Sequence, residues 1–284
     1  ISACLVGSEM CIRDRPKSNS PSYPVGLRPA ARRHALRAPL ARHHTMRTVM
    51  AKNIPLQERI IFALDVDSQQ EAERWVDRLG DHVHFYKVGL QLFMAGWFHV
   101  IDMIVERGHK VMVDLKFFDI PETVALAVKE LNKHKAAFIT VHGNDPILQA
   151  AISERNSAQI LAVTVLTSFD ESDMREMGFT GTVEDLVYMR AKKALDLGCD
   201  GVISSGLEVP RLRDGLGDKF LIVTPGIRPG TNDVVKDDDQ KRIATANQAI
   251  KNGADYVVVG RPIRNAKDPV AVVKSMQDEI SRAL

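Results

Sequence analysis

The chain of 284 residues is 45% hydrophobic and 26% charged, which is typical of a soluble globular protein. No window reaches the roughly 18 consecutive apolar residues that a membrane-spanning helix requires, so we expect no membrane partner. The three cysteines, at positions 4, 11 and 199, have no C-x-x-C spacing, which argues against a disulfide framework or a zinc site. These features together predict a protein of the reducing cytoplasm.

Positive charge is concentrated in the first 50 residues, which hold nine Lys and Arg residues against two acidic ones. An Arg-rich, acid-poor start is compatible with a transit peptide or with an arm that binds nucleic acid. Its opening letters, LVGSEMCIRDR, instead resemble translated sequencing-adapter DNA. We therefore predict that residues 1–50 form no domain and that the natural chain starts at Met46 or Met50. The catalytic domain is expected over residues 51–284, with no nucleic-acid partner.

Eight short runs rich in β-branched residues follow one another from residue 60 onward, separated by helix-sized intervals. The predicted strands are 60–66, 84–90, 110–116, 137–143, 159–166, 200–205, 219–226 and 255–260. Strands that are apolar along most of their length are typical of a parallel sheet covered by helices.

The intervals between the strands carry helix signals. Ser68 is a predicted N-cap of a helix that ends at Gly80, and Pro121 stands where a first helical turn tolerates proline. Eight such βα units in a body of this length match a (β/α)8 barrel, the TIM barrel, of roughly 250 residues. A Rossmann-type open sheet would have Gly-x-Gly-x-x-Gly after its first strand, and that motif is absent there. The predicted fold class is therefore α/β, with a TIM barrel.

Charged residues stand at the ends of the first three predicted strands. Asp65 ends the first strand, Lys87 lies in the second, and Asp114 and Lys116 lie two apart in the third, with Asp119 in the loop beyond. Alternation along a strand places Asp114 and Lys116 on one face. Active sites of such barrels lie at the carboxyl ends of the strands. We therefore predict a cluster of alternating charges in the barrel mouth, although an ion-pair network that only closes the barrel is the structural alternative.

The ends of the seventh and eighth strands carry the sequences TPGIRPG and VVVGRP. The loops after these two strands often bind phosphate in such barrels. Glycine lets backbone N–H groups approach an anion, and arginine can hold two of its oxygens. Arg228, Gly260 and Arg261 are therefore the predicted phosphate contacts, and the polar loop 229–241 is long enough to act as a lid.

Several motifs in this order resemble the orotidine 5′-phosphate decarboxylase family. They are FALDV, YKVG, DLKFFDIPETV, VTVLTS, TPGIRP and VVVGRPI, and the likeness covers about residues 59–284. Many members have His at the position of Phe118. The resemblance implies decarboxylation of orotidine 5′-phosphate to UMP, the last step of de novo pyrimidine synthesis, by a homodimer with shared active sites. It also implies that neither a metal nor another cofactor is used.

The resemblance also implies the roles of individual residues. Lys87, Asp114 and Lys116 would form a charged array completed by Asp119 of the partner chain, with Lys116 as proton donor to C6 of the base. Asp65 and Lys87 would contact the ribose. The remaining substrate-binding residues implied by the resemblance are Leu115, Phe117, Phe118, Ile120, Pro121, Glu122, Thr123, Thr167, Arg228, Gln240, Gly260 and Arg261.

Three alternatives remain open from the residues. A magnesium-dependent sugar-phosphate decarboxylase or aldolase on the same barrel shares D-x-K-x-x-D, but it has an acid where Lys87 stands. A Schiff-base aldolase needs a lysine that loses its proton easily, which flanking carboxylates oppose. A nucleic-acid-binding protein would use the basic N-terminal arm, which the acidic body disfavours.

Overall fold

The computed structural model describes residues 52–229 and 242–284. The predicted extension 1–50, the loop 230–241 and its Gln240 lie outside these ranges. Eight parallel strands close into a barrel, each pairing with the next and the eighth with the first. They are β1 Ile60–Ala63, β2 Phe85–Gly89, β3 Lys110–Phe117, β4 Phe138–Val141, β5 Gln159–Val163, β6 Gly201–Ile203, β7 Leu221–Thr224 and β8 Tyr256–Val259. The predicted TIM barrel is confirmed. Seven of the eight strands are shorter than predicted by two to four residues.

Helices follow the strands and cover the outside of the barrel. They are α1 Leu56–Arg59, α2 Gln69–Leu79, α3 Leu90–Glu106, α4 Pro121–Leu131, α5 Asp145–Glu154, α6 Glu171–Glu176, α7 Val183–Asp196, α8 Val209–Leu216, α9 Ala246–Lys251, α10 Arg261–Arg264 and α11 Pro269–Ser281. The Ser68 hydroxyl accepts the Glu71 amide and α2 ends before Gly80, so the predicted bounds of that helix are confirmed. Pro121 opens α4, as predicted. None of the helices in the described ranges combines the length and the hydropathy of a membrane span.

Side chains alternate between two apolar cores along each strand. In β1, Ile61 points into the barrel, whereas Ile60 and Phe62 pack against the helices. The barrel interior contains packed aromatic side chains. The ring centroids of Phe85 and Phe138, for example, lie 4.8 Å apart. Because this interior is packed, a ligand-sized space inside the barrel is expected above it, at the carboxyl ends of the strands.

The opposite, amino-terminal end of the barrel contains a buried ion pair. Asp255 accepts hydrogen bonds of 2.8 Å from both Arg213 and Lys52, and it also accepts the backbone amide of Ile222 in β7. Arg213 donates further bonds to the carbonyls of Gly253 and Phe220. This network connects the starts of β7 and β8 and lies far from the barrel mouth.

Candidate active site

The carboxyl ends of the strands surround a cavity of about 470 Å³, a volume typical of a small-ligand site. Its floor is apolar and includes Met112, Val163 and Val258 from the barrel interior. Its polar lining consists of Asp65, Lys87, Asp114, Lys116, Thr167, Ser168, Arg228, Gly260, Arg261 and Arg264. The structure therefore brings the charged residues predicted at the ends of β1, β2 and β3 together with those after β7 and β8.

Four side chains from three neighbouring strands form a continuous chain of alternating charge. The Lys87 Nζ atom lies 3.0 Å from Asp65 Oδ1 and 3.6 Å from Asp114 Oδ2. The Lys116 Nζ atom donates to the other oxygen of Asp114, at 2.9 Å. The ladder explains this arrangement, because β2 lies between β1 and β3 and Ala63 is level with Lys87.

Asp114 is at the centre of this array, and its side chain is only 12% exposed. Burial alone would raise the pKa of its carboxyl group, but the cations of Lys87 and Lys116 and the hydrogen bonds from Lys116 and Thr140 outweigh burial and hold the pKa below its usual value. Asp114 is therefore an anion at neutral pH, placed between the ammonium groups of both neighbouring lysines.

Lys116 reaches the mouth by an irregular backbone. Its φ is +49°, in the left-handed region that residues other than glycine rarely adopt. The pairing of β3 with β4 shifts register between Val113 and Phe117, which is the mark of a bulge. The Thr140 hydroxyl stabilises this turn, because it accepts a hydrogen bond from the Lys116 backbone amide and donates one of 3.0 Å to Asp114 Oδ1. A bulge, rather than simple alternation, therefore aims Lys116 at its partner.

The basic side of the cavity is formed by the ends of β7 and β8. Arg228, Arg261 and Arg264 line it, and Arg264 donates to the backbone carbonyl of Asp65. Gly260 packs closely on β1 here, because a Cβ atom at this position would lie only 3.3 Å from the Ala63 Cβ atom. Three guanidinium groups on one side of the cavity make this side of the mouth suited to an anion such as phosphate.

Most of residues 115–123 lie outside the mouth cavity. Leu115 and Phe117 pack against the core between the barrel and the helices. Glu122 and Thr123 are exposed in the first turn of α4. A second cavity, of about 560 Å³, is lined by Phe118, Asp119, Ile120, Pro121, Asn144, Pro146 and Ile147. Of the segment 114–123, only Asp114 and Lys116 therefore line the mouth of their own chain.

Asp119 is separate from the charged array of its own chain. Its carboxylate is exposed and accepts the backbone amide of Ile120 at 2.6 Å. Beside it, the Phe118 side chain is 68% exposed and contacts the His142 ring edge-on, with 5.4 Å between centroids. Asp119 and Phe118 are therefore exposed on the surface of the chain.

Several polar residues at the mouth, among them Thr140 and Arg264, were not predicted from the sequence. Thr140 looked like an ordinary strand residue, and its contacts with Asp114 and Lys116 depend on the register of β4 against β3. Arg264 follows Arg261 by three positions, and that spacing places both side chains on one face of a helix. The spacing was therefore a usable signal for Arg264, whereas no sequence pattern marked Thr140.

The fold and the site together define the class of protein: a closed (β/α)8 barrel with a lysine–carboxylate array and an arginine-rich corner at its mouth. A family model described as orotidine 5′-phosphate decarboxylase / HUMPS matches residues 58–276. The chain belongs to this family.

Named relatives cover nearly the whole barrel. An orotidine 5′-phosphate decarboxylase of Methylococcus capsulatus is 54% identical over 230 residues, which are 81% of this chain and 94% of that protein. Its counterpart in Stenotrophomonas maltophilia is 47% identical over 236 residues, 81% and 97% of the two chains. A crystal structure of orotidine 5′-phosphate decarboxylase from Lactobacillus acidophilus has a TM-score of 0.68 and 36% identity, and covers 78% of this chain and 99% of that one.

Proposed function

We propose that the protein decarboxylates orotidine 5′-phosphate to UMP, the last step of de novo pyrimidine synthesis, without a metal or organic cofactor. The observation that carries the proposal is the chain of alternating charge from Asp65 through Lys87 and Asp114 to Lys116. Membership of the family and the names of its close relatives agree with this activity.

Lys116 is proposed as the group that makes the reaction possible. Breaking the bond between C6 and the carboxylate releases CO2 and leaves an electron pair on C6, which the ring delocalises poorly. A fixed ammonium group beside C6 stabilises this developing charge and then donates its proton to C6. The neutral amine regains its proton from water after product release. Asp114 supports this role because it accepts a hydrogen bond from the Lys116 ammonium group and so holds that group in place.

Asp114 is proposed to act on the substrate as well. With its pKa held low it remains an anion, and a substrate carboxylate placed beside it is repelled until CO2 departs. Asp65 and Lys87 stand farther along the array and are proposed to bind the ribose hydroxyls. A carboxylate accepts a hydrogen bond from a hydroxyl group, and an ammonium group donates one to it.

The other end of the substrate is assigned to the basic side of the cavity. We propose that Arg228, Gly260 and Arg261 bind the phosphate and that Thr167, on the loop after β5, contacts the edge of the base. Gln240 is proposed to join them from the loop outside the described ranges. Phosphate binding away from C6 supplies interaction energy that helps to hold the reacting carbon beside Lys116.

A homodimer with shared sites is proposed from the position of Asp119. This carboxylate lies outside the mouth of its own chain and next to exposed apolar residues. The apolar side chains that are more than half exposed on the segment before α4, on α4 and on α3 are Phe118, Ile120, Leu126, Leu90, Met94 and Trp97. A partner that covers them would bring Asp119 and Thr123 to the second chain's mouth. Residues 115–122 are then proposed to support the site as one segment. A cytoplasmic location stays a prediction.

The magnesium-dependent alternative is disfavoured by Lys87. Its ammonium group lies between the carboxylates of Asp65 and Asp114, the two acids that a cation at this rim would need. The deciding experiment is to follow the loss of orotidine 5′-phosphate absorbance with the purified chain in excess EDTA. We expect undiminished turnover, whereas activity that disappears with EDTA supports the alternative, and no turnover with or without magnesium overturns the proposed function.

A further inference from the structure

Arg242 forms a buried ion pair beside the mouth, behind the residues that line the cavity. Its guanidinium Nη1 donates to Glu208 Oε1 at 2.5 Å, and the two side chains are only 11% and 6% exposed. Glu208 lies just before α8, and its second oxygen accepts the Ser204 hydroxyl at 3.2 Å. Burying two charges costs free energy unless both are paired and hydrogen-bonded, as they are here.

The other amino group of Arg242 binds the loop after β5. Nη2 donates to the carbonyl oxygens of Val165 and Leu166, at 3.2 and 2.8 Å. The next residues along the chain, Thr167 and Ser168, line the mouth cavity. Leu166 also accepts the backbone amide of Phe169 at 2.9 Å, so its carbonyl holds the loop at two points.

The backbone beyond Arg242 is joined to the basic side of the mouth. Ala244 forms a bridge with Ile227, and its carbonyl accepts the Arg228 amide at 2.9 Å. The Ala244 amide in turn donates to Gly226. A side chain only two residues earlier therefore connects the segment that carries Arg228 to the loop that carries Thr167.

We infer that Arg242 is a positioning residue, which with Glu208 sets the distance between Thr167 and Arg228 across the mouth. The inference rests on the proposed function, in which these two residues bind opposite ends of the substrate. Arg242 itself does not line the cavity. Its planar guanidinium can bond an acid and two carbonyls at once, whereas a lysine offers a single nitrogen.

The test uses Arg242→Lys, which keeps a positive charge beside Glu208 but removes the planar guanidinium that bonds Glu208 and the two carbonyls at once. We expect KM for orotidine 5′-phosphate to rise about tenfold, the loss that corresponds to one charge-assisted hydrogen bond, with a much smaller change in kcat. Hydrogen exchange at the Phe169 amide should accelerate, because its acceptor carbonyl loses Arg242. Glu208→Gln keeps an acceptor oxygen and should lie between the wild type and Arg242→Lys in both measurements.

The matched control is Arg213→Lys, which alters a second buried arginine–carboxylate network, that of Arg213 and Asp255 at the amino-terminal end of the barrel. It should lower stability without raising KM or the exchange rate at Phe169. An unchanged KM in Arg242→Lys, or an equal rise in Arg213→Lys, overturns the inference. Failure of the proposed function is distinguishable, because the wild type would then lack turnover while exchange at Phe169 still reports the link between Arg242 and the loop.

Discussion

Lys116 donates a hydrogen bond of 2.9 Å to Asp114, two residues earlier on the same strand. The two side chains meet because the backbone at Lys116 is left-handed, with φ at +49°, and because Thr140 on the neighbouring strand contacts both residues. A strained backbone of this kind costs on the order of 1–3 kcal/mol and is concentrated at functional sites. The pair is thus held in place by β4 as well as by β3.

Replacing Lys116 by alanine should remove turnover. The variant loses both the cation beside C6 and the proton that C6 receives, so kcat should fall by roughly 10²- to 10⁴-fold or more. Steady-state decay of orotidine 5′-phosphate absorbance measures this change. Lys110→Ala is the matched control, because Lys110 opens the same strand at the other end of the barrel and pairs with Glu58. Equal losses in the two variants would remove Lys116 from its proposed role.

The charge of Asp114 should contribute to stability in a pH-dependent way. Its pKa in the folded chain lies below the usual value, so its ionised form stabilises the fold above the unfolded pKa of about 4. That contribution is lost as the pH falls through the folded pKa. Urea unfolding of the wild type and of Asp114→Asn is measured from pH 7 downward. As the pH falls, the unfolding free energy of the wild type should decrease relative to that of Asp114→Asn. A difference independent of pH would contradict the shift.

Thr140→Val should impair catalysis while the barrel stays folded. Valine has nearly the same shape, but it leaves the Lys116 amide and Asp114 without the Thr140 hydroxyl. We expect kcat to fall about tenfold, in line with the value of a hydrogen bond to a charged group. Thr140→Ser keeps the hydroxyl and should recover most of the activity. A serine variant as impaired as the valine variant would point to packing instead.

Mixing two inactive variants should restore activity if Asp119 acts in the partner's site. Hybrid dimers of Asp119→Ala and Lys116→Ala chains have one site with both substitutions and one with neither. Random mixing makes half of the dimers hybrid, so about a quarter of wild-type turnover should return. The mixture is prepared by unfolding and refolding the chains together, with each variant refolded alone as the control. No recovery, with hybrids demonstrated by mass, would place Asp119 in its own chain's site.

The apolar face near Asp119 should be needed for the dimer. Leu126 is 56% exposed on α4, and Leu126→Asp should shift the chain toward monomer and lower activity, because a charge would be buried in the contact. Leu207 is 57% exposed on another side of the barrel, so Leu207→Asp should leave the assembly unchanged. Analytical ultracentrifugation over a range of concentrations compares the two. A Leu126→Asp chain that sediments like the wild type would move the interface elsewhere.

Repetition along the chain made the fold predictable. Each strand has a continuous apolar run and each interval a helix-sized pattern, and parallel connections bring all carboxyl ends to one rim. Asp65, Lys87, Asp114 and Lys116 could therefore be assigned to one mouth from their places in the chain alone. The same reasoning placed Arg228, Gly260 and Arg261 at that rim.

The sequence by itself thus determined the barrel, the rim and the residue types that meet there. Only the tertiary structure decided the contacts between segments distant in sequence. Thr140 joins the array through strand register, Asp119 lies apart from it, and Arg242 joins three loops through one guanidinium. The physical reason is that periodicity reports which face of an element is buried, whereas a hydrogen bond depends on positions to within a few tenths of an ångström. Such positions are set by the packing of the whole barrel.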